Sequence, residues 1–219
     1  MEKKAKICRT FDCEVRSDVD DIHGAYVTGR PIVYGDIYDR GLFDEMIDPG
    51  ALDSADLKDV RFLVNHNKNM IPLARSRNNN ENSTMQLSQD AEGLTIRANL
   101  DTENNPTAQE LYSAVSRGDV SGMSFMFTVK TESWDNLDTD YPRRHITGID
   151  KVFEVSAVTF PAYTATTIDV RADAEALESA KAALESAHKA DTERKQAELR
   201  ETINAKLKSI LGGSEANES

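Results

Sequence analysis

The chain has 219 residues, of which 39% are hydrophobic and 29% are charged, so it carries enough apolar material for one sizeable core. Its 26 Lys and Arg residues against 38 Asp and Glu residues give a formal net charge of −12. This argues against a nucleic-acid partner, because phosphate binding needs clustered cations. No apolar run approaches the roughly 20 residues that cross a bilayer, so we expect no membrane partner either.

The first segment, Met1–Lys6, is basic, but no apolar stretch follows it, so we expect no signal peptide. Cys8 and Cys13 are the only two cysteines. Their odd separation would place them on opposite faces of a strand, which argues against a disulfide between them. We therefore expect two reduced thiols in a reducing cytoplasm.

The chain up to about residue 170 has a mainly β pattern. Three segments are rich in β-branched, aromatic and aliphatic residues and predict strands at Lys6–Arg16, Gly24–Tyr34 and Val60–His66.

Two further strands, Met85–Gln89 and Leu94–Leu100, flank Asp90–Gly93, and this pattern predicts a hairpin. The polar stretch that precedes them, Asn78–Ser83, has little apolar surface to bury. We expect it to form an exposed, mobile loop.

One helix is predicted to interrupt the strands. Asn105 is a suitable N-cap, Pro106 fits the first helical position, and Gly118 ends the segment. A second short helix is predicted over Pro49–Leu57.

The composition changes abruptly after residue 170. The segment Ala172–Leu211 is dominated by Ala, Glu, Lys, Leu and Arg and contains no Pro or Gly, which predicts a helix about 60 Å long. Its apolar seam is broken near Asp191, and Gly212–Ser219 is expected to be disordered. We therefore predict a domain over residues 1–170 and a helical tail over residues 171–219.

The four histidines, His23, His66, His145 and His188, show no metal-type spacing with another histidine or a nearby cysteine. A zinc site needs several such ligands close together. We therefore expect no metal and no cofactor.

His66 stands out because it ends a predicted strand. In the segment Val60–His66, every second residue is apolar until the histidine is reached, so strand periodicity would put His66 on the buried face at the edge of the core. Taken alone, it could equally be a core-rim histidine bonded to the backbone.

Ser124 lies in a second segment of this kind, Val120–Lys130. Met123, Phe125 and Phe127 alternate along it and predict a core face, which places Ser124 on the other face. The neighbouring Gly122 would leave room for another chain to approach the hydroxyl. Most serines in strands have no catalytic role, so the position alone does not decide the matter.

Glu154 lies inside the hydrophobic run Val152–Phe160, which is apolar on both faces and predicts a strand buried on both sides. A buried carboxylate is costly unless it is paired or hydrogen-bonded. Its partner could be a protonatable group such as His66, or a cation among Arg143, Arg144 and Lys151.

Ser124, His66 and Glu154 are together the groups that nucleophilic catalysis requires. A serine hydroxyl is a weak nucleophile until an imidazole accepts its proton, and the imidazole needs an acceptor that fixes its tautomer and stabilises its charged form. Sequence spacing alone does not show that the three residues meet.

Five segments follow one another in a recognisable order between about Gly24 and Arg171: Phe43–Leu52, Leu63–Asn67 with Pro72–Arg75, Glu92–Leu94, Gly118–Phe125 and Glu154–Tyr163. In these segments the chain resembles the caudoviral prohead serine proteases of the HK97 type, which are related to the herpesvirus maturation proteases.

The resemblance implies a partly closed β-barrel protease core. Together with the strands and helices predicted above, this gives a mainly β (α+β) fold with a few flanking helices and a long C-terminal helix. It also implies a serine endopeptidase that cleaves the major capsid protein, or its scaffold segment, and the protease itself during capsid maturation. The place of action would be the interior of the immature phage capsid, the prohead, in the host cytoplasm. Self-association stays open.

Residue by residue, the family's histidine falls on His66 and its serine on Ser124. The residue after the histidine is often Asp in the family, but here it is Asn67, which supplies no charge. This departure favours Glu154 as the third catalytic member. The herpesvirus relatives use a second histidine in that role, so His145 remains the alternative.

A different class of function is a non-catalytic scaffold or assembly protein that acts through the acidic, Ala- and Glu-rich tail. This alternative gives no reason for His66, Ser124 and Glu154. A related hypothesis is that the tail over residues 171–219 is itself removed by self-cleavage.

Overall fold

The computed structural model describes residues 6–11, 15–20, 24–160 and 167–212. Seven strands form the first sheet: β1 (Ile7–Phe11), β4 (Ile37–Asp39), β5 (Asp44–Ile47), β6 (Asp59–Val64), β7 (Ala74–Arg77), β10 (Gly122–Asp135) and β11 (Arg143–Val158). Four strands form the second sheet: β2 (Arg16–Asp20), β3 (Gly24–Val33), β8 (Met85–Asp90) and β9 (Gly93–Asn99). The helices are α1 (Pro106–Ser116) and α2 (Thr167–Gly212).

The long strand β11 organises the first sheet. One edge pairs antiparallel with β10. The other edge pairs in parallel with two strands: β5 pairs with Arg143–Ile146, and β6 pairs with Glu154–Ala157. The strand β1 adds antiparallel to β10 at the end of the sheet. The sheet therefore brings together segments that are far apart in the sequence.

The two sheets enclose a common core. Val27 and Ile96 of the second sheet, Phe62 and Phe125 of the first, and Leu111 of α1 belong to the same buried hydrophobic cluster. Among the described strands, hydrogen bonding does not close a complete barrel. The prediction of a mainly β, partly closed core with a long C-terminal helix is confirmed.

The helix α1 begins and ends where its capping residues predict. The side chain of Asn105 accepts hydrogen bonds from the N–H groups of Thr107 and Ala108, and Pro106 takes the first helical position. Gly118 has a φ of 77° and donates its N–H to the carbonyl of Val115. Local capping thus defines this helix.

The short helix predicted over Pro49–Leu57 is wrong. The segment forms consecutive turns, in which Ala51 donates to Asp48, Asp53 to Gly50 and Ala55 to Leu52, each three residues back. Gly50 has a φ of 84°, and this left-handed conformation prevents a continuous right-handed helix.

The single strand predicted over Lys6–Arg16 is also wrong. Within it, β1 covers Ile7–Phe11 in the first sheet, and β2, which belongs to the second sheet, begins only at Arg16. Residue composition shows the strand preference but not the change of sheet. Cys8 is half-buried in β1, whereas Cys13 lies outside the described residues.

The hairpin predicted around Asp90–Gly93 is confirmed, with Asp90 pairing with Gly93 in the β8–β9 ladder. The preceding loop, expected to be exposed and mobile, is exposed at residues 78–82 but anchored to this hairpin. Asn79, whose φ is 49°, bonds through its side chain to both the N–H and the carbonyl of Leu87. Asparagine tolerates this left-handed backbone and supplies the side-chain bonds.

The predicted tail helix is present as α2, which spans 46 residues and begins a few residues earlier than expected. The chain divides into two compact units, Met1–Ala174 and Glu175–Ser219. Side chains along the second unit are mainly exposed up to residue 203, including Leu199 at 60%. No described helix is both long and apolar enough to span a membrane. Of the end predicted to be disordered, Gly212 is the last residue of α2, and residues 213–219 lie outside the described residues.

Candidate active site

One face of the first sheet carries a row of polar side chains. Ser124 of β10 pairs with Ser156 of β11, and Met126 pairs with Glu154. Because side chains alternate between the two faces of a strand, Ser124, Ser156 and Glu154 share one face. Their neighbours Phe125 and Val155 point to the other face, into the core.

His66 reaches this polar face from a turn, not from a strand. The strand β6 ends at Val64, and Asn65 and His66 have left-handed φ values of 49° and 54°. The Asn65 side chain holds the turn by bonding to Thr159, and the His66 N–H donates to Ser156 Oγ at 3.2 Å. The expectation that strand periodicity delivers His66 to the buried face is therefore wrong, although His66 does lie at the edge of the core.

The structure brings the three predicted residues together. His66 Nε2 lies 2.5 Å from Ser124 Oγ, and His66 Nδ1 is hydrogen-bonded to Glu154 Oε1. The imidazole thus bridges the hydroxyl and the carboxylate through its two ring nitrogens. The side chain of His66 is 21% exposed, whereas that of Glu154 is 5% exposed.

The three cations that could have neutralised Glu154 each pair with another carboxylate. Arg143 bonds to Asp44 at 3.3 Å, Arg144 to Glu45 at 3.1 Å, and Lys151 to Asp56 at 2.6 Å. The buried carboxylate of Glu154 is instead stabilised by its hydrogen bonds.

His145, the alternative third member, takes part in a different cluster. Its Nδ1 lies 3.0 Å from Asp48 Oδ1. Its Nε2 lies 3.1 Å from Asp135 Oδ2, within ion-pair distance but without hydrogen-bond geometry. The structure thus places Glu154, and not His145, on the imidazole of His66.

Ser156 is a member of the site that sequence reasoning missed. Its hydroxyl donates to Glu154 Oε2 at 2.6 Å and accepts the His66 N–H. It therefore orients both the carboxylate and the turn that carries the histidine. The sequence did contain a signal for Ser156: it lies two residues after Glu154 on the same predicted strand, and residues two apart on a strand share a face.

This arrangement suits proton transfer from a hydroxyl. If Nδ1 carries a proton and donates it to Glu154, the other ring nitrogen is an acceptor that faces Ser124 Oγ. The carboxylate would then stabilise the imidazolium that forms once the hydroxyl has lost its proton. Among the described residues, no cluster of three or more potential ligands could hold a metal ion.

A family model of the caudovirus prohead serine proteases matches residues 11–181. The chain belongs to this family. The capsid assembly protease of bacteriophage T4 is a similar solved structure, with 12% identity, a TM-score of 0.39, and coverage of 70% of this chain and 99% of that chain. No curated protein gives a significant match. Membership of the prohead protease family makes the chain a protease of phage capsid maturation.

The hydroxyl of Ser124 is completely buried in this prohead protease, at 0% exposure. The strand β1 pairs Thr10 with Ser124, and Ser124 Oγ donates a hydrogen bond of 2.7 Å to the carbonyl oxygen of Arg9. The sequence had predicted that the small Gly122 would let another chain approach the hydroxyl. The segment that lies against the hydroxyl is β1 of the same chain.

Arg9 anchors β1 in a buried ionic cluster, which sequence reasoning also missed. Its guanidinium bonds to both oxygens of Glu45 and to Asp173 Oδ1 at 2.7 Å. Arg144 also bonds to Oε2 of Glu45, and Arg40 lies 3.4 Å from Asp173. Burial would lower the pKa of Arg9 and raise that of Glu45. Their mutual attraction outweighs burial, so the pKa of Arg9 is raised and that of Glu45 is lowered.

We expect Glu45→Gln to lower the free energy of unfolding at pH 7 by about 3 kcal/mol, because it removes the charge that compensates a buried guanidinium. The pKa of Glu45 is lower in the folded protein than its ordinary value of 4.5. Its stabilisation is therefore complete above that value and is lost as the pH falls further. Urea unfolding of both proteins at pH 7 and at about pH 3 should show a difference that shrinks on acidification.

Asp59→Asn is the matched control for Glu45→Gln. It breaks a pair with Arg75 in which both side chains are more than one-third exposed, so we expect a loss below about 1 kcal/mol. Equal losses for the two variants would contradict the assigned role of the buried cluster.

Proposed function

We propose that the chain is a serine endopeptidase in which Ser124 is the nucleophile, His66 the general base and Glu154 the residue that orients His66. The observation that carries the proposal is the pair of contacts made by one imidazole, at 2.5 Å to Ser124 Oγ through Nε2 and to Glu154 through Nδ1. The family description of a serine protease supports the same assignment.

The proposed reaction follows from these contacts. His66 accepts the proton of Ser124 while the hydroxyl oxygen attacks the scissile carbonyl carbon. The protonated His66 then gives that proton to the leaving amine as the peptide C–N bond breaks, and an acyl-enzyme forms on Ser124. A water molecule, deprotonated by His66, hydrolyses the ester and restores the serine.

The proposed substrates are the major capsid protein or its scaffold segment, and the proposed location is the interior of the prohead in the host cytoplasm. Membership of the prohead protease family supports both assignments. Expressing the chain with its cognate capsid protein and following the fragments on a gel tests the proposal. We expect Ser124→Ala to abolish the fragments.

Ser88→Ala is the matched control for the Ser124 variant, because Ser88 is an exposed serine on β8 in the other sheet. It should leave the fragment pattern unchanged. Processing by Ser124→Ala at the wild-type rate would overturn the nucleophile assignment.

We further propose that the protease domain ends near residue 170 and that the tail is removed by self-cleavage. The mainly exposed surface of the helix after Glu175 supports this. Asp173 bonds to Arg9, so a cut beyond Asp173 would preserve the ionic cluster. Intact masses of wild type and Ser124→Ala, compared under conditions that cleave capsid protein, test it. If both stay at 24.3 kDa, the tail is not removed.

A further inference from the structure

A hydroxyl with no exposed surface cannot attack a second protein chain. The carbonyl carbon of a substrate must approach within about 3–3.5 Å of Ser124 Oγ. That approach requires a covering segment to move, because Ser124 is fully buried. Two strands flank β10 at Ser124: β11 in the middle of the sheet and β1 at its end. The end strand β1, whose Thr10 lies opposite Ser124, is the one that can leave without breaking the centre of the sheet.

The strand β1 lies on β10 as a bound peptide strand would. It is the end strand of the sheet, and its five residues pair antiparallel with Met123–Phe127. Extended peptides commonly bind proteins by adding a strand to a sheet edge in this way. The carbonyl group of Arg9 meets the Ser124 hydroxyl at 2.7 Å, so β1 presents a peptide carbonyl at the proposed nucleophile.

The contact is an unproductive one. The hydroxyl has a single proton, and in the observed bond it donates this proton to the carbonyl oxygen of Arg9. That proton is then not donated to His66 Nε2, which must accept it for attack. In addition, the atom of β1 that the serine oxygen contacts is the carbonyl oxygen of Arg9. The strand β1 therefore fills the site without being cut.

We propose that β1 occupies the substrate-strand site of this protease, and that an extended segment of a substrate protein binds by replacing β1 along β10. The inference rests on the proposed function, since it takes Ser124 as the nucleophile. It adds that the substrate binds at the edge of β10 and runs antiparallel to it. It also adds that β1 keeps the hydroxyl inaccessible until it leaves.

The ionic cluster also indicates which side chain the site accepts. The position whose carbonyl meets Ser124 is a basic residue, Arg9, held by Glu45 and Asp173. When β1 leaves, Glu45 keeps Arg144 and Asp173 keeps Arg40, so neither carboxylate is left unpaired.

With Arg9 present, three guanidinium groups balance three carboxylates, because Glu132 also pairs with Arg144. The departure of Arg9 leaves one negative charge in excess. A substrate strand with Arg or Lys at the residue before the scissile bond restores this balance. The proposed ligand class is therefore an extended segment with a basic residue at that position.

A reversible cross-link tests the displacement of β1. Cys8 lies opposite Met126 in the β1–β10 ladder, so Met126→Cys would place two thiols on paired positions. Because the Arg9 carbonyl faces β10, Arg9 is in a hydrogen-bonded pair of the ladder, and its neighbour Cys8 is in a non-hydrogen-bonded pair. The side chains of non-hydrogen-bonded pairs lie closer together, which suits a disulfide. All proteins in the test carry Cys13→Ser to prevent other pairings.

The disulfide-linked Met126→Cys protein is expected to leave capsid protein uncut, and reduction of the same sample should restore cleavage. Intact mass gives the linked fraction, and the parent Cys13→Ser protein is carried through both treatments. Equal cleavage by the linked and the reduced protein would overturn the displacement of β1. Absence of cleavage by the parent protein would instead reject the proposed function.

A second pair of variants tests the proposal without a cross-link. Ile7 is buried at the start of β1, and Leu87 is buried in β8 of the other sheet. Ile7→Ala loosens β1, so we expect capsid protein to be cleaved faster and the β1 amides to exchange hydrogen faster. Leu87→Ala should lower the melting temperature without raising cleavage. No increase with Ile7→Ala, or an equal increase with both variants, would count against the proposal.

A peptide tests the basic position. A synthetic copy of residues 6–15, with serine in place of Cys8 and Cys13, should inhibit capsid-protein cleavage by the Ile7→Ala protein. The same peptide with Arg9→Gln should inhibit less strongly. Equal inhibition by both peptides would overturn the preference for a basic residue, and no inhibition by either would overturn the shared site on β10.

Discussion

His66→Ala is expected to lower the turnover of capsid protein by about six orders of magnitude, Ser124→Ala by a similar factor, and the double variant by no more than either single one. The reason is that the two residues act as one unit. The hydroxyl of Ser124 is an effective nucleophile only while His66 Nε2, 2.5 Å away, accepts its proton. Without the imidazole the serine hydroxyl is only a weak nucleophile, and without the serine the imidazole has no proton to accept.

Single-turnover rates, measured with the protease in excess over capsid protein and corrected for uncatalysed hydrolysis, would show this non-additivity. His188→Ala is the matched control, because His188 is an exposed histidine on α2 and should leave the rate unchanged. Independent contributions would instead multiply in the double variant. A double variant slower than both single variants by the product of their losses would contradict a shared mechanism.

Glu154→Gln is expected to lower turnover by about four orders of magnitude while leaving the fold intact. The carboxylate accepts the hydrogen bond of His66 Nδ1, which keeps the other ring nitrogen available as an acceptor. A glutamine amide can present its N–H group to Nδ1 and thereby favour the wrong tautomer. It also lacks the charge that stabilises the imidazolium. Melting temperature and turnover, measured on the same samples, separate the chemical loss from unfolding.

Two companion variants decide what orients the histidine. Ser156→Ala removes a single donor to Glu154 and should cost much less, about ten- to a hundredfold. His145→Ala should leave turnover near the wild-type value, because His145 bonds to Asp48. If His145→Ala caused the large loss and Glu154→Gln did not, the assignment of Glu154 would be wrong.

Local signals in the sequence predicted much of the fold. Asn105, Pro106 and Gly118 define α1 through hydrogen bonds made within a few residues, and such bonds can be read from the chain alone. The same is true of the hairpin at Asp90–Gly93. The turns at Pro49–Leu57 were missed because a helix and a series of turns share their short-range composition, and the left-handed Gly50 decides between them.

The candidate site was predicted mainly from the resemblance to the prohead serine proteases, which placed the family's histidine on His66 and its serine on Ser124. Strand periodicity separated Ser124 from the core residues beside it, and the buried position of Glu154 required a partner. Neither signal could show that His66 arrives through two left-handed residues, or that Ser156 holds both His66 and Glu154. The cluster of Arg9, Glu45 and Asp173 joins residues up to 164 positions apart, so no local pattern marks it.

The central position of β11 has a consequence for the order in which the protein can be assembled during synthesis. The strands β5 and β6 both pair with β11 in parallel, and apart from it they pair with β4 and β7. They are made about a hundred residues before β11, so the nascent chain holds two short hairpins without their shared partner. Contacts between residues so distant in sequence form late, because closing the intervening loops costs entropy. The bond between His66 and Glu154 is therefore expected to form only after translation has passed residue 158 and β11 has emerged from the ribosome.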